Sequence, residues 1–181
     1  AKLTDAIPVP AEAALLSALL AEFGPRSVLS GDAIPVRNEK DWSTLAPVRP
    51  LAVVRPVTAE EVSATMRLCQ RFGVPVVPQG GLTGLCGGAL PVEGCVALSL
   101  ERMTGIEEID PAAATMTVQA GTPLEAVQKA ADEAGFFMPL DLGARGSCAI
   151  GGNLSTNAGG NRVIRYGMAR DMVLGLSLIH I

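Results

Sequence analysis

The stretch LAVVRPVTAEEVSATMRLCQRFGVPVVPQGGLTGLCGGALP, residues 51–91, runs from an apolar segment through a helical pattern into a second apolar segment and then into glycine. LAVVRP (51–56) reads as a short buried strand. Thr58 and Glu61 have the spacing of a capping box, and Val62, Met66, Cys69 and Phe72 recur on one face of the helix that follows, which Gly73 ends. VPVVP (74–78) reads as a second buried strand, so the stretch is a β-α-β unit of a parallel sheet. The glycine-rich part begins where that second strand ends.

Upstream, residues 10–23 predict a helix, with Pro10 at its start, a stripe of Leu15, Leu16, Leu19, Leu20 and Phe23, and Gly24-Pro25 as a stop. Residues 24–50 read as loop, with Trp42 as an anchor. Downstream, VALSL (96–100), GIEEI (105–109) and TMTVQA (115–120) read as strands separated by turn residues such as Asp110-Pro111. Thr122 as N-cap, Pro123 at the first helical position, Glu125 and a terminal Gly135 frame another helix. No repeat with a period of about 20–50 residues is present, which excludes a solenoid.

With 181 residues, 49% of them hydrophobic, the chain has the material for a folded core. Acidic residues exceed basic ones, 18 to 14, and aromatics are only 3%, which argues against a surface that tracks phosphates and stacks bases. No apolar run reaches the ~18 residues of a membrane span, and the first residues lack a basic-then-apolar leader pattern, so the expected compartment is the cytoplasm. Cys69, Cys86, Cys95 and Cys148 form no C-x-x-C pair and the only histidine is His180, so no metal site or disulfide framework is expected and the cysteines read as small buried hydrophobes. The last six residues, LSLIHI (176–181), match an in-frame translation of a sequencing-library adapter and are expected to be a non-native tail.

Two glycine-rich segments stand out, QGGLTGLCGG (79–88) and GSCAIGGNLSTNAGGNRVIRYG (146–167). Glycine lets a ligand touch the main chain, and successive N–H groups form a concave nest for phosphate oxygens. Neither segment has the spacing of a Walker A loop or of the dinucleotide fingerprint, and no G-x-S-x-G elbow is present. Each segment alone reads equally well as tight turns. Together they read as two loops clamping a diphosphate, with Gln79, Thr83, Ser147, Asn153, Thr156, Asn157 and Asn161 available to orient a ring system and Arg162, Arg165 and Arg170 to offset phosphate charge.

PVVPQGGLTGLCGGALP (75–91) resembles the pyrophosphate loop of the FAD-binding domain shared by the vanillyl-alcohol oxidase and para-cresol methylhydroxylase flavoproteins. MPLDLGARGSCAIGGNLSTNAGGNRVIRYGMARDMVLG (138–175) is similar to the matching segment of D-2-hydroxyglutarate dehydrogenases, D-lactate dehydrogenases and the glycolate oxidase flavin subunit. The resemblance covers about residues 45–175. It implies that Pro78, Gly80, Gly81, Leu82, Thr83 and Gly84, with Gly88 near by, wrap the FAD pyrophosphate. It places Gly146, Ser147, Ile150, Gly151, Asn153, Thr156, Asn157 and Gly159 along the diphosphate, ribityl chain and isoalloxazine ring, and Leu140, Asp141 and Leu142 where the family's chain also approaches the cofactor. Arg165, Tyr166 and Gly167 match the family's RYG, with a structural role or a flavin-facing one equally open.

Two departures matter. Leu82 stands where relatives have Asn or Gly, which puts one polar contact and the local loop shape in question. Thr83 stands about where covalently flavinylated members have histidine, so the resemblance implies noncovalent FAD; small buried thiols remain the expectation for Cys86 and Cys148.

The fold expected on this basis is α+β, an FAD-binding domain in two subdomains, a small one holding the β-α-β unit and a larger, mainly antiparallel one starting near residue 108. Residues 1–45 would be a helical arm and linker and residues 46–175 an incomplete FAD-binding domain. The activity the resemblance implies is oxidation of a D-2-hydroxy acid to the 2-oxo acid, with the acceptor left open among an electron-transfer flavoprotein, a quinone and oxygen. In the family the general base, the arginine for the substrate carboxylate and any metal ligands come largely from a later domain, so no catalytic residue is expected within this chain. Another branch of the same flavoenzymes, or an electron-carrying FAD subunit without a substrate site, remain as alternatives.

Overall fold

The computed structural model describes residues 11–177. Pro10 and the end of the LSLIHI tail lie outside the described residues. The first helix, α1 (Ala11–Phe23), buries Leu15 and Leu19, one helical turn apart and both fully shielded from solvent. They join Val28, Ala52, Val54, Cys69, Val96 and Leu98 in one apolar cluster. Truncating either leucine to alanine there costs about 2–5 kcal/mol.

The expected β-α-β unit is present, as β2 (Ala52–Val54), α2 (Ala59–Phe72) and β3 (Val76–Gln79). The Thr58 hydroxyl accepts from the Glu61 amide at 3.2 Å, and the Glu61 carboxylate reaches back to the Val57 amide at 2.7 Å, one residue beyond the expected partner. Gly73, at φ +67°, closes α2 in the left-handed conformation. The two strands do not pair with each other. β4 (Val96–Ser99) lies between them, parallel to both, with all four residues buried as befits a central parallel strand.

The 24–50 segment, expected as loop, supplies a fourth strand. β1 (Val28–Ser30) pairs antiparallel with β2 and completes the order β1-β2-β4-β3. At three residues it is too short to show a period of two. Short 3₁₀ turns follow at Gly31–Ala33 and Val36–Glu39.

The second sheet is the antiparallel hairpin β5 (Ile106–Asp110) and β6 (Thr115–Val118). The Asp110 carboxylate accepts from the amides of Ala112 and Ala113 and so forms the turn. Three α-helices follow, α3 (Leu124–Glu133), α4 (Ile150–Ser155) and α5 (Val163–Tyr166), and then a 3₁₀ turn at Ala169–Met172. A second apolar cluster of Leu124, Leu140, Cys148, Ile150 and Ala169 underlies them. The α+β architecture with a β-α-β part and an antiparallel part is thus present.

One capping expectation was misplaced. Pro123 is the N-cap of α3, and the Thr122 hydroxyl turns away to bond both the amide and the carbonyl of Gly105, at 2.9 and 3.1 Å. Thr122 therefore ties α3 to the start of the hairpin. Among the described residues no helix is long and apolar enough to cross a membrane.

Candidate functional site: two facing glycine segments

The first glycine segment leaves β3 at Gln79 and returns through Ala89. Among the described residues, none of the N–H groups of residues 80–88 donates to a main-chain carbonyl. Such a run of unused donors is costly where water is excluded and suits an anionic ligand. Pro78, Gly84 and Gly88 are exposed, and Thr83 is half-buried. Leu82 is in the left-handed region at φ +60° with its side chain buried. The loop thus keeps a conformation suited to Asn or Gly, and its leucine offsets the strain by burial.

The second segment is anchored where the first is bare. The first amides of α3, which no helical turn can satisfy, donate outward: Leu124 to the Cys148 carbonyl at 3.1 Å and Glu125 to the Arg145 carbonyl at 2.9 Å. Ile150 donates to Thr122 at 2.9 Å and Gly151 to Ala120 at 2.8 Å. A Cβ on Gly151 would stand 2.8 Å from that of Ala120, so this glycine permits close packing on the end of β6.

The two segments meet. A Cβ built on Gly81 would lie 2.0 Å from the Ser147 carbonyl oxygen and 2.7 Å from Cys148 Cα, and one on Gly80 would lie 3.2 Å from Ala149 Cβ. Backbone therefore approaches backbone, and only glycine fits at Gly81. Gly146, Ser147 and Thr156 are exposed, Gly159 is half-buried against Met168, and Leu140 and Ile150 support the segment from the second core with Leu142 packed against it.

Several polar side chains are engaged within the protein. The Ser147 and Thr156 hydroxyls donate to the carbonyls of Ala144 and Gly152. Asn157, at φ +52°, accepts from the Arg170 amide at 3.1 Å, and the Arg170 guanidinium donates to the carbonyls of Leu154 and Ser155 at 2.9 and 2.6 Å. Arg170 thus satisfies the C-terminal end of α4, and its expected role beside a phosphate gives way to that one. Gln79, expected to face a ring system, is fully buried and points into the loop stem. Asn153 differs from these: its Oδ1 is buried without a hydrogen bond.

Asp141 is the charged hub of the second segment. Its carboxylate accepts from Arg145 at 3.1 Å and Asn161 at 3.3 Å and lies 3.5 Å from Arg162. Burial pushes its pKa up, but the hydrogen bonds from Asn161, Arg145 and Gln128 and the Arg162 charge outweigh that and hold it below the usual carboxylate range. Its carbonyl oxygen lies 2.1 Å from where a Cβ on Gly160 would stand. Arg162 also covers the Phe137 ring at 5.0 Å, so it too is engaged. In the RYG segment Arg165 lies over Tyr166 at 5.2 Å and Tyr166 meets Phe137 at 5.7 Å, beside a groove of about 410 Å³.

Three cysteines are buried as expected, and Cys86 is exposed on the first segment, contrary to expectation. Burial pushes the Cys69 thiol up to about 11.

What the arrangement offers a ligand is a run of unused main-chain donors on the first segment, held against the second segment where Gly81 meets Ser147. That donor set fits a ligand carrying a diphosphate.

Comparison with known proteins agrees. A family model described as "FAD binding domain" matches residues 50–180. A D-2-hydroxyglutarate dehydrogenase of Xanthomonas citri pv. viticola is 50% identical over 140 residues, 77% of this chain and 30% of that protein. The mitochondrial D-2-hydroxyglutarate dehydrogenase of Danio rerio is 43% identical over 154 residues, 85% of this chain and 29% of that protein. The chain thus spans about 30% of the length of the curated relatives it matches. Among solved structures, an alkyldihydroxyacetonephosphate synthase superposes with a TM-score of 0.79 at 23% identity, over 89% of this chain and 35% of that one. A para-cresol methylhydroxylase with substrate bound gives 0.71 at 23% identity, over 88% and 32%. These likenesses show the fold alone. The match over residues 50–180 shows the family: the chain belongs to the FAD-binding domain family.

Proposed function

We propose that residues 78–88 and 140–159 hold FAD noncovalently, and that the protein oxidises a D-2-hydroxy acid of the D-2-hydroxyglutarate, D-lactate or glycolate class to the 2-oxo acid. The observation that carries the reading is the run of unused N–H groups at 80–88 on a segment whose Gly81 meets the Ser147 carbonyl of the second glycine segment. When bound, the flavin ring supplies the hydride acceptor. The chain's own share is binding and orientation: main-chain donors at the diphosphate, with Asn153 assigned to the ring side. Pro78, Gly80, Leu82, Thr83, Gly84 and Gly88 are assigned to the diphosphate side, and Gly146, Ser147, Thr156 and Gly159 to the rest of the cofactor. Leu140, Asp141, Leu142, Ile150 and Gly151 set the position of that second wall.

Thr83 carries no nucleophilic ring nitrogen for a flavin bond, which supports noncovalent attachment. The D-2-hydroxy acid rests on the relatives named above, and the acceptor is proposed to be an electron-transfer flavoprotein or a quinone. The cytoplasm is the proposed compartment, in keeping with the four free cysteines.

The test is direct. The purified chain is titrated with FAD while flavin fluorescence is followed, and acid precipitation then separates bound from attached flavin. Saturable quenching with all flavin recovered in the supernatant is expected; no binding overturns the cofactor site, and flavin in the pellet overturns the noncovalent reading. In a protein of the relatives' length carrying this sequence, anaerobic D-2-hydroxy acid should bleach the flavin and yield the 2-oxo acid. Bleaching by none of D-2-hydroxyglutarate, D-lactate and glycolate overturns the substrate class.

A further inference from the structure

The family match begins at residue 50, yet the segment before it grips the first glycine loop. Gln79, at the loop's entry, is completely buried, and Asn38, in the 3₁₀ turn after β1, is 2% exposed. The Asn38 Nδ2 group donates to Gln79 Oε1 at 2.8 Å. Gln79 Nε2 donates in turn to the Asn38 carbonyl and to the carbonyl of Ala89, each at 3.0 Å. Ala89 lies at the loop's exit, so one side chain joins both stems of the loop to a third strand of chain.

Further along the same segment the Trp42 amide donates to the Gly84 carbonyl at 3.0 Å. The Asp41 carboxylate is buried beneath the loop; burial raises its pKa, and hydrogen bonding from Ser43, whose amide donates to Oδ1 at 2.9 Å, helps to hold it below its ordinary value. A loop whose own amides are unused has no internal ladder to hold its shape. Its shape is therefore set from outside, at the stem and along one edge.

We propose that Asn38 and Gln79 are positioning residues that clamp the stem of the first glycine segment and thereby set its affinity for the diphosphate. The proposal rests on the FAD reading. Gln79 was free, by sequence, to be a ligand; fully engaged inside the stem, it acts through the loop instead.

The experiment compares the unmodified chain with Gln79→Met, which keeps the shape without the hydrogen bonds, and Gln79→Glu, which keeps the acceptor for Asn38 and loses both donations. FAD affinity is read by fluorescence, and amide hydrogen exchange is read separately in residues 38–45, 80–89 and 146–159. A loss is expected in both variants, about tenfold or more for Gln79→Met and greater for Gln79→Glu, whose buried carboxylate faces the carbonyls of Asn38 and Ala89, with faster exchange in 38–45 and 80–89 and none added in 146–159. Unchanged affinity overturns the proposal, as does exchange that rises equally in all three segments. Should Gln79→Met fail to fold, Asn38→Ala, which removes one hydrogen bond only, carries the same test with an expected loss of several-fold. Failure of the unmodified chain to bind FAD overturns the cofactor reading instead, and the exchange pattern alone then decides the clamp.

Discussion

Residues 80–88 and residues 146–160 share a composition of glycine, small polar and small apolar residues, and they treat their backbone in opposite ways. The first leaves its N–H groups unpaired and borrows its shape from a clamp at its stem. The second is stitched to the start of α3 and the end of β6, contains a helix, and uses its glycines at Gly151 and Gly160 to press against neighbouring protein. Glycine content alone therefore does not distinguish a ligand loop from a packing device. What distinguishes them is whether the main-chain donors are already spent.

The comparison is broken most severely at the point where the segments touch. Gly81→Val places a side chain into the Ser147 carbonyl and is expected to cost about 3 kcal/mol and abolish flavin retention; urea unfolding and FAD titration check both. Full retention would mean the segments separate freely.

Leu82 sets two terms against each other. Releasing its left-handed strain returns about 1–2 kcal/mol, while removing a buried leucine costs about 2–5 kcal/mol. Leu82→Gly is therefore expected to be less stable by about 2 kcal/mol, and a more stable variant would show that strain dominates.

Asp141 sharpens the second segment through pH. Its native pKa lies below the unfolded one, so its stabilisation is complete above the ordinary carboxylate value of about 4 and is lost as pH falls through the lowered native value. Asp141→Asn should be less stable at neutral pH, with the difference narrowing in acid; parallel stability curves would remove the hub from the account.

The smallest effect is expected at Gly88, where nothing lies within 4 Å of an added Cβ. Gly88→Ala should change stability by no more than about 0.5 kcal/mol. Weaker FAD binding in that stable variant would mark Gly88 as facing the ligand. Thiol labelling offers a last check: Cys86 should react in the folded chain, and Cys69, Cys95 and Cys148 only on unfolding.

Local patterns were legible where the physics is local. The stripe in α2, its Thr58 cap and the Gly73 stop depend on residues a few positions apart, and each is found in the structure. β1 was not legible, because three residues carry no period and only pairing with β2 makes them a strand. Thr122 misled for the reverse reason: it carries a cap's chemistry, and a distant partner, Gly105, claimed its hydroxyl. In the site, the glycine segments were visible by composition, while Gln79 read as a ligand because its true partners, Asn38 and Ala89, are 41 and 10 residues away.

By itself the sequence determined the β-α-β unit, the two glycine segments and the family they belong to, since these rest on periodicity, caps and motifs written along the chain. Only the tertiary structure decided that β4 lies between β2 and β3, that Gly81 meets Ser147, and which polar groups remain free for a ligand. Hydrogen bonds and backbone approach are settled by distance in space, and a buried donor spends itself on whichever acceptor the fold brings nearest.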